Sequence, residues 1–167
     1  MIQVYTGDGK GKSTAAFGLA IRAAGAGLKV FIGQFLKGAC FSEIKALRRF
    51  PEITLEQYGS GKFVCKEPTE KDCRLARKGF AAAVNAVTRK HFDLVILDEI
   101  NCAIRCKLID EEEVLELMRV TPPSVELVLT GRGATAHIMK EADLVSEIQC
   151  RKHYFQKGTK ARAGIEC

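Results

Sequence analysis

A lysine set among glycines and followed by hydroxyls, Thr6-Gly7-Asp8-Gly9-Lys10-Gly11-Lys12-Ser13-Thr14, is the stretch of this chain best suited to chemistry. Glycines let successive backbone N–H groups turn toward one point and leave room for a ligand to approach. A helix starting behind them adds unpaired N–H groups and a dipole that favours an anion. Lys12 brings a positive charge within reach of phosphate oxygens, and the Ser13 hydroxyl can ligate a divalent cation. Together, Thr6 through Thr14 read as a binding loop for the triphosphate of a nucleotide, ATP with Mg²⁺. The spacing departs from the common Gly-x-x-x-x-Gly-Lys-Ser/Thr pattern. Thr6 holds its first position, and counting from Gly7 shortens the interval between glycines by one residue. The structural alternative is a glycine turn carrying a surface lysine.

Three other places supply polar groups. Leu94-Val95-Ile96-Leu97 is an unbroken apolar run ending in Asp98-Glu99, the form of a buried strand delivering a carboxylate beside Mg²⁺. Asp98 and Glu99 are therefore the candidate metal ligands, one or the other holding the ion with Ser13. Glu99 also stands where hydrolases place a water-activating base, and either acid would equally serve to begin the next helix. Thr130-Gly131-Arg132-Gly133 follows another strand, so Arg132 either faces the ligand or packs on the surface. Lys37 and Gly38, after the second strand, share that edge. The basic tail, with Lys152, His153, Tyr154, Lys157, Lys160 and Arg162, either folds over the site or is a solvated face. No Ser-His-Asp set has supporting context, and His91, His137 and His153 read as surface or packing residues. An enzyme of this sequence takes its bond-making atom from a substrate or cofactor.

Strand and helix patterns alternate around these groups. Strands are expected at Ile2–Tyr5, within Leu28–Phe35, and at Ile53–Tyr58, Asp93–Asp98, Val125–Thr130 and Leu144–Ile148. A helix over Ser13–Ala24 is stopped by Gly25. Ser42 caps a short helix ending before Pro51. Thr69 and Asp72 form a capping box for a long helix reaching about Lys90. Two helical stretches follow Glu99, the second capped by Asp110, and a short helix lies near His137–Glu141. Strands separated by helices make βαβ units, hence an α/β fold with a mostly parallel sheet and helices on both faces. In such sheets ligands bind at the carboxyl ends of the strands, where the glycine loop and the acid pair both emerge.

The 167 residues amount to one domain, 1–167, able to bury a core without disulfides or metal. With 47% apolar and 28% charged residues the chain has the balance of a globular protein, and no apolar stretch is long enough to span a bilayer. The sequence opens straight into a strand, with no cleavable leader, so a cytoplasmic location is expected. Seven cysteines without a Cys-x-x-Cys pair then imply free thiols, with Cys102 and Cys106 sharing a helix face as a lesser metal candidate. The net charge of +6 suits an anionic partner. A nucleic-acid partner is disfavoured, because the basic residues are not interleaved with several stacking aromatics.

These residues resemble the phosphate-loop corrinoid adenosyltransferases. The likeness runs over nearly the whole chain. It rests on Thr6–Gly18, Gln34-Phe35-Leu36-Lys37-Gly38, Leu97-Asp98-Glu99-Ile100-Asn101, Leu129-Thr130-Gly131-Arg132-Gly133, Ala142–Glu147 and the closing Lys152-His153 to Gly164-Ile165 stretch. The resemblance implies a RecA-like fold and a cobalt nucleophile, Co(I) of a corrinoid, which attacks the 5′ carbon of ATP and expels tripolyphosphate. It implies ATP held in reversed orientation, with Lys12 and Mg²⁺ neutralising the leaving group. It also implies a homodimer and a separate reductant such as a reducing flavoprotein. Where better-known members carry a Phe/Trp pair, this chain has Gly59-Ser60-Gly61-Lys62-Phe63-Val64, making Phe63 the candidate corrinoid contact. The sequence begins at its first strand, where some members have an N-terminal extension over the site. The alternative reading is a RecA-like ATPase or kinase acting at the γ-phosphate, with Glu99 as base.

Overall fold

The computed structural model describes residues 1–38, 42–61, 68–89 and 91–166. Six strands, β1 (Ile2–Thr6), β2 (Val30–Phe35), β3 (Ile53–Tyr58), β4 (Leu94–Asp98), β5 (Glu126–Thr130) and β6 (Leu144–Glu147), form one sheet in the order β3-β2-β4-β5-β1-β6. Every neighbouring pair is parallel. The helices are α1 (Lys12–Gly25), α2 (Ser42–Leu47), α3 (Glu70–Thr88), α4 (Ile100–Arg105), α5 (Glu111–Val120) and α6 (Ala136–Glu141), followed by a 3₁₀ turn at Tyr154–Lys157.

The alternation of side chains along each strand divides the interior in two. Val30, Ile32, Leu94, Ile96 and Val128 pack under the alanine face of α1, with Leu47 of α2. Phe31, Phe35, Val95, Leu97, Leu127 and Leu129 point the other way, into α3, α4, α5 and Ile138 of α6. Burial on both faces explains the uninterrupted apolar run of β4. This is the RecA-like arrangement. The strand carrying the phosphate loop and the strand carrying Asp98 are separated by β5, so the end of β5 enters the site between them.

The capping box forms as expected: the Asp72 N–H donates to Thr69 Oγ1 at 3.3 Å and the Thr69 N–H to Asp72 Oδ2 at 3.0 Å. One helix end differs. Gly25 remains helical, and the chain turns two residues later at Gly27, whose φ of 79° is the left-handed value that glycine adopts without a Cβ clash. Phe63 lies outside the described residues.

Candidate nucleotide and metal site

Because the strands are parallel, the loops after β1, β2, β4 and β5 all open on one edge of the sheet. The phosphate loop leaves β1 and lies against the segment leaving β6. The Gly9 N–H donates to the Ile148 carbonyl at 2.7 Å. A Cβ on Gly7 would stand 2.5 Å from that carbonyl oxygen, and one on Gly9 would stand 2.7 Å from it and 2.8 Å from Gln149 O. These two glycines are thus required by packing against the chain beyond β6, a constraint that ligand approach alone does not suggest. Gly7 has in addition a φ of 93°, whereas Gly11, with a φ of 124°, has no such crowding.

Lys12 is buried, and its ammonium folds back to donate to the Gly9 carbonyl at 2.7 Å. Burial, then the positive charge of Arg132, lower its pKa. Arg132 lines the same cavity as Lys12. Its backbone is tied to α4, the Arg132 N–H donating to Cys102 Sγ at 3.3 Å. Thr6 turns its hydroxyl away to accept from the Ala134 N–H at 3.2 Å, joining the phosphate-loop strand to the Arg132 loop. Lys10 reaches the tail instead, donating to Tyr154 Oη at 2.7 Å, Ile165 O at 3.0 Å and Glu166 Oε1 at 3.0 Å. The tail does fold over the site, through Tyr154, Ile165 and Glu166 more than through its basic residues.

Asp98 is fully buried at the end of β4. Its Oδ1 accepts from Ser13 Oγ at 2.7 Å and Thr130 Oγ1 at 2.7 Å. Its Oδ2 accepts from Gln34 Nε2 at 2.9 Å and Lys37 Nζ at 3.1 Å. Burial by itself would raise the pKa of this carboxyl. The Lys37 charge and the bonds from Gln34, Ser13 and Thr130 outweigh it and hold Asp98 below the usual carboxylate range. Glu99 is the residue before α4, yet its side chain makes no capping bond. It has a left-handed φ of 64°, its N–H donates to Thr130 Oγ1 at 3.0 Å, and its carboxylate lies 3.7 Å from Lys37 Nζ. Glu99 therefore begins α4 by position, as its alternative reading has it, without a side-chain cap, while both carboxylates gather at Lys37.

Gln34 and Thr130 were absent from the sequence-based set. Register supplies them: Gln34 lies opposite Asp98 in the β2–β4 pair, and Thr130 ends β5, which borders β4. A polar residue at or next to the carboxyl end of a strand is the available signal for each.

A cavity of ≈ 980 Å³ opens from Gly9, Lys12, Ser13 and Thr14 past Glu99 and Arg132. Phe17, Ile21, Leu36 and Ala46 form an apolar flank, and His153 and Ile165 bring the tail to its rim. Gly7 and Asp8 stand outside this lining. Among the described residues, no three His, Cys, Asp or Glu side chains gather as a metal-holding group. A hard divalent cation fits the oxygen set Ser13, Asp98 and Glu99 in another way. A positive group, the Lys37 ammonium, already lies within 3.2 Å of Ser13 Oγ, 3.1 Å of Asp98 and 3.7 Å of Glu99. A small site with few protein ligands, completed by phosphate and water, is the usual home of Mg²⁺.

Comparison with known proteins gives the same picture. The whole chain, residues 1–167, matches the family described as ATP:corrinoid adenosyltransferase BtuR/CobO/CobP. A corrinoid adenosyltransferase of Pseudomonas aeruginosa is 36% identical over 168 residues, covering 99% of this chain and 83% of that protein. The corrinoid adenosyltransferase of Escherichia coli K12 is 34% identical over 99% of this chain and 85% of its own. The corrinoid adenosyltransferase CobA of Salmonella typhimurium is 32% identical over the same shares. With its phosphate loop, its buried Asp98 and a match along its full length, the chain belongs to the ATP:corrinoid adenosyltransferase family.

Proposed function

We propose that this chain transfers the 5′-deoxyadenosyl group of ATP to Co(I) of a corrinoid substrate. The cobalt electron pair forms the Co–C bond, the C5′–O bond breaks, and tripolyphosphate leaves with that bonding pair. The observation that carries the reading is the cavity. Its polar end is the phosphate grip of Gly9, Lys12 and Ser13, and its other flank is the apolar wall of Phe17, Ile21, Leu36 and Ala46. At ≈ 980 Å³ it is at the upper end of small-molecule sites, with room beyond a triphosphate for an adenosine and part of a flat macrocycle.

Within it, backbone N–H groups of the loop and the Lys12 ammonium hold the triphosphate and stabilise the charge it gains on leaving. Such stabilisation grows toward the transition state and so appears in turnover. Arg132, whose charge is felt at Lys12, adds to the same field. Ser13, Asp98 and Glu99 would hold Mg²⁺, which when bound supplies further neutralisation of phosphate charge. Lys10 and Thr14 border the nucleotide, while Thr6, Gly7 and Asp8 shape the loop behind it. Phe63, in the stretch that follows β3 in sequence, is assigned to the corrinoid. The resemblance set out above supports a homodimer, a cytoplasmic location and a reducing flavoprotein as the source of Co(I). No described helix is long and apolar enough to cross a membrane.

Product analysis tests the proposal. With ATP, Mg²⁺ and a chemically reduced corrinoid, tripolyphosphate and adenosylated corrinoid should appear in equal amounts. Release of ADP at a comparable rate would replace this reading with attack at the γ-phosphate.

A further inference from the structure

The end of β2 carries a lysine for which the reaction above has no role. Lys37 is placed with unusual firmness. Leu36, before it, has a left-handed φ of 61°, a conformation that side chains other than glycine rarely adopt and that persists only where surroundings impose it. Gly38, after it, packs so tightly that a Cβ there would lie 2.4 Å from Gly59 O, and a Cβ on Gly59 would lie 2.4 Å from Lys37 N. The two loops interlock backbone to backbone. The main chain of Lys37 is fixed, and only its side chain is free to move. That side chain is about a quarter exposed and ends among Ser13 Oγ, Asp98 Oδ2 and Glu99 Oε1.

We propose that Lys37 is the resident counter-ion of the metal site: in the nucleotide-free chain its ammonium neutralises Asp98 and Glu99, and it yields that place when a divalent cation enters together with ATP. The inference rests on the assignment of Ser13, Asp98 and Glu99 to the metal. Without any cation the fully buried Asp98 would be an uncompensated charge, which proteins avoid. With the ammonium in place, a divalent ion at the same oxygens would meet a like charge a few ångströms away. Free metal therefore binds weakly. A nucleotide relieves the conflict, because its phosphates give the displaced ammonium a new partner beside Ser13. Metal and nucleotide load as one event, and Lys37 is the positioning residue that couples them.

The test is a titration of the nucleotide-free full chain with Mn²⁺, followed by electron paramagnetic resonance, for wild type, Lys37→Gln and Lys37→Arg. Lys37→Gln should bind one Mn²⁺ at least about tenfold more tightly than wild type. Its melting temperature should fall without divalent ions and recover when Mn²⁺ is added. Lys37→Arg, which keeps the charge, should bind Mn²⁺ as weakly as wild type. Equal affinity in wild type and Lys37→Gln, or no binding to Lys37→Gln, would overturn the proposal. Mn²⁺ binding to wild type in the presence of ATP, lost in Ser13→Ala, separates that failure from a failure of the metal assignment itself.

Discussion

Replacing Asp98 by asparagine keeps the size of a fully buried side chain and removes its charge. Both carboxylate oxygens accept two bonds, Oδ1 from Ser13 and Thr130, Oδ2 from Gln34 and Lys37. With the amide oxygen kept toward Gln34 and Lys37, the NH₂ meets the Ser13 and Thr130 hydroxyls, which must turn from donors to acceptors, and the ammonium loses its buried counter-charge. In the opposite orientation the NH₂ faces two donors, Gln34 Nε2 and the Lys37 ammonium, which is left to Ser13 Oγ and Glu99. Breaking a buried pair costs about 3–5 kcal/mol, and partial exposure of Lys37 with Glu99 at 3.7 Å puts this case at the lower end, about 3 kcal/mol. For a domain of this size that is a fall of about 6–12 °C in melting temperature. The folded-state pKa of Asp98 is depressed, so its contribution is fully present above the unfolded carboxyl value and declines as pH falls through the folded one. The gap between wild type and Asp98→Asn should accordingly narrow below about pH 4. Urea denaturation of both proteins at several pH values, with Lys37→Gln and the double variant completing a cycle, measures the term. A loss under about 1 kcal/mol at neutral pH, or strict additivity of the two substitutions, would refute the reasoning.

Lys12→Ala should lower kcat by about a hundredfold or more while moving the melting temperature little, since among the described residues its ammonium donates to a single backbone carbonyl, Gly9 O; steady-state kinetics beside a thermal melt checks both. Gly9→Ala should destabilise by about 1–3 kcal/mol because of the Ile148 and Gln149 carbonyls. Gly25→Ala, helical and with nothing near its missing Cβ, should stabilise by about 0.5–1 kcal/mol; denaturant unfolding reads the opposite signs. Burial, then the charge of Glu99, push the Cys102 thiol up to about 12. Iodoacetamide at pH 8, mapped by mass spectrometry, should therefore label the exposed Cys73 and Cys150 well before the half-buried Cys102; labelling Cys102 as fast as Cys150 would contradict its raised thiol pKa.

What the sequence disclosed followed from local rules. Four apolar residues ending in Asp98 mark a strand covered on both faces, and glycines before Lys12-Ser13 mark a phosphate grip, because each pattern serves a single segment. The capping box of α3 was legible for the same reason. Contacts set by sheet order were not. That β5 lies between β1 and β4 decides that Thr130 meets Asp98, and nothing near Thr130 in sequence reveals it. The packing need of Gly7 and Gly9 depends on Ile148 following β6, the neighbour of β1. Lys10 reads as a phosphate ligand, yet it spans to residues 144 to 156 positions away, a distance no local pattern encodes.

The proposed reaction depends on the triphosphate being gripped as a leaving group rather than offered for attack. A crystal structure of the chain with Mg²⁺ and ATP measures this directly. The account predicts the phosphates against Gly9–Ser13 and the ribose C5′ turned into the cavity toward Phe17 and Leu36. A γ-phosphorus presented to that cavity, with the ribose directed away from it, would contradict the account.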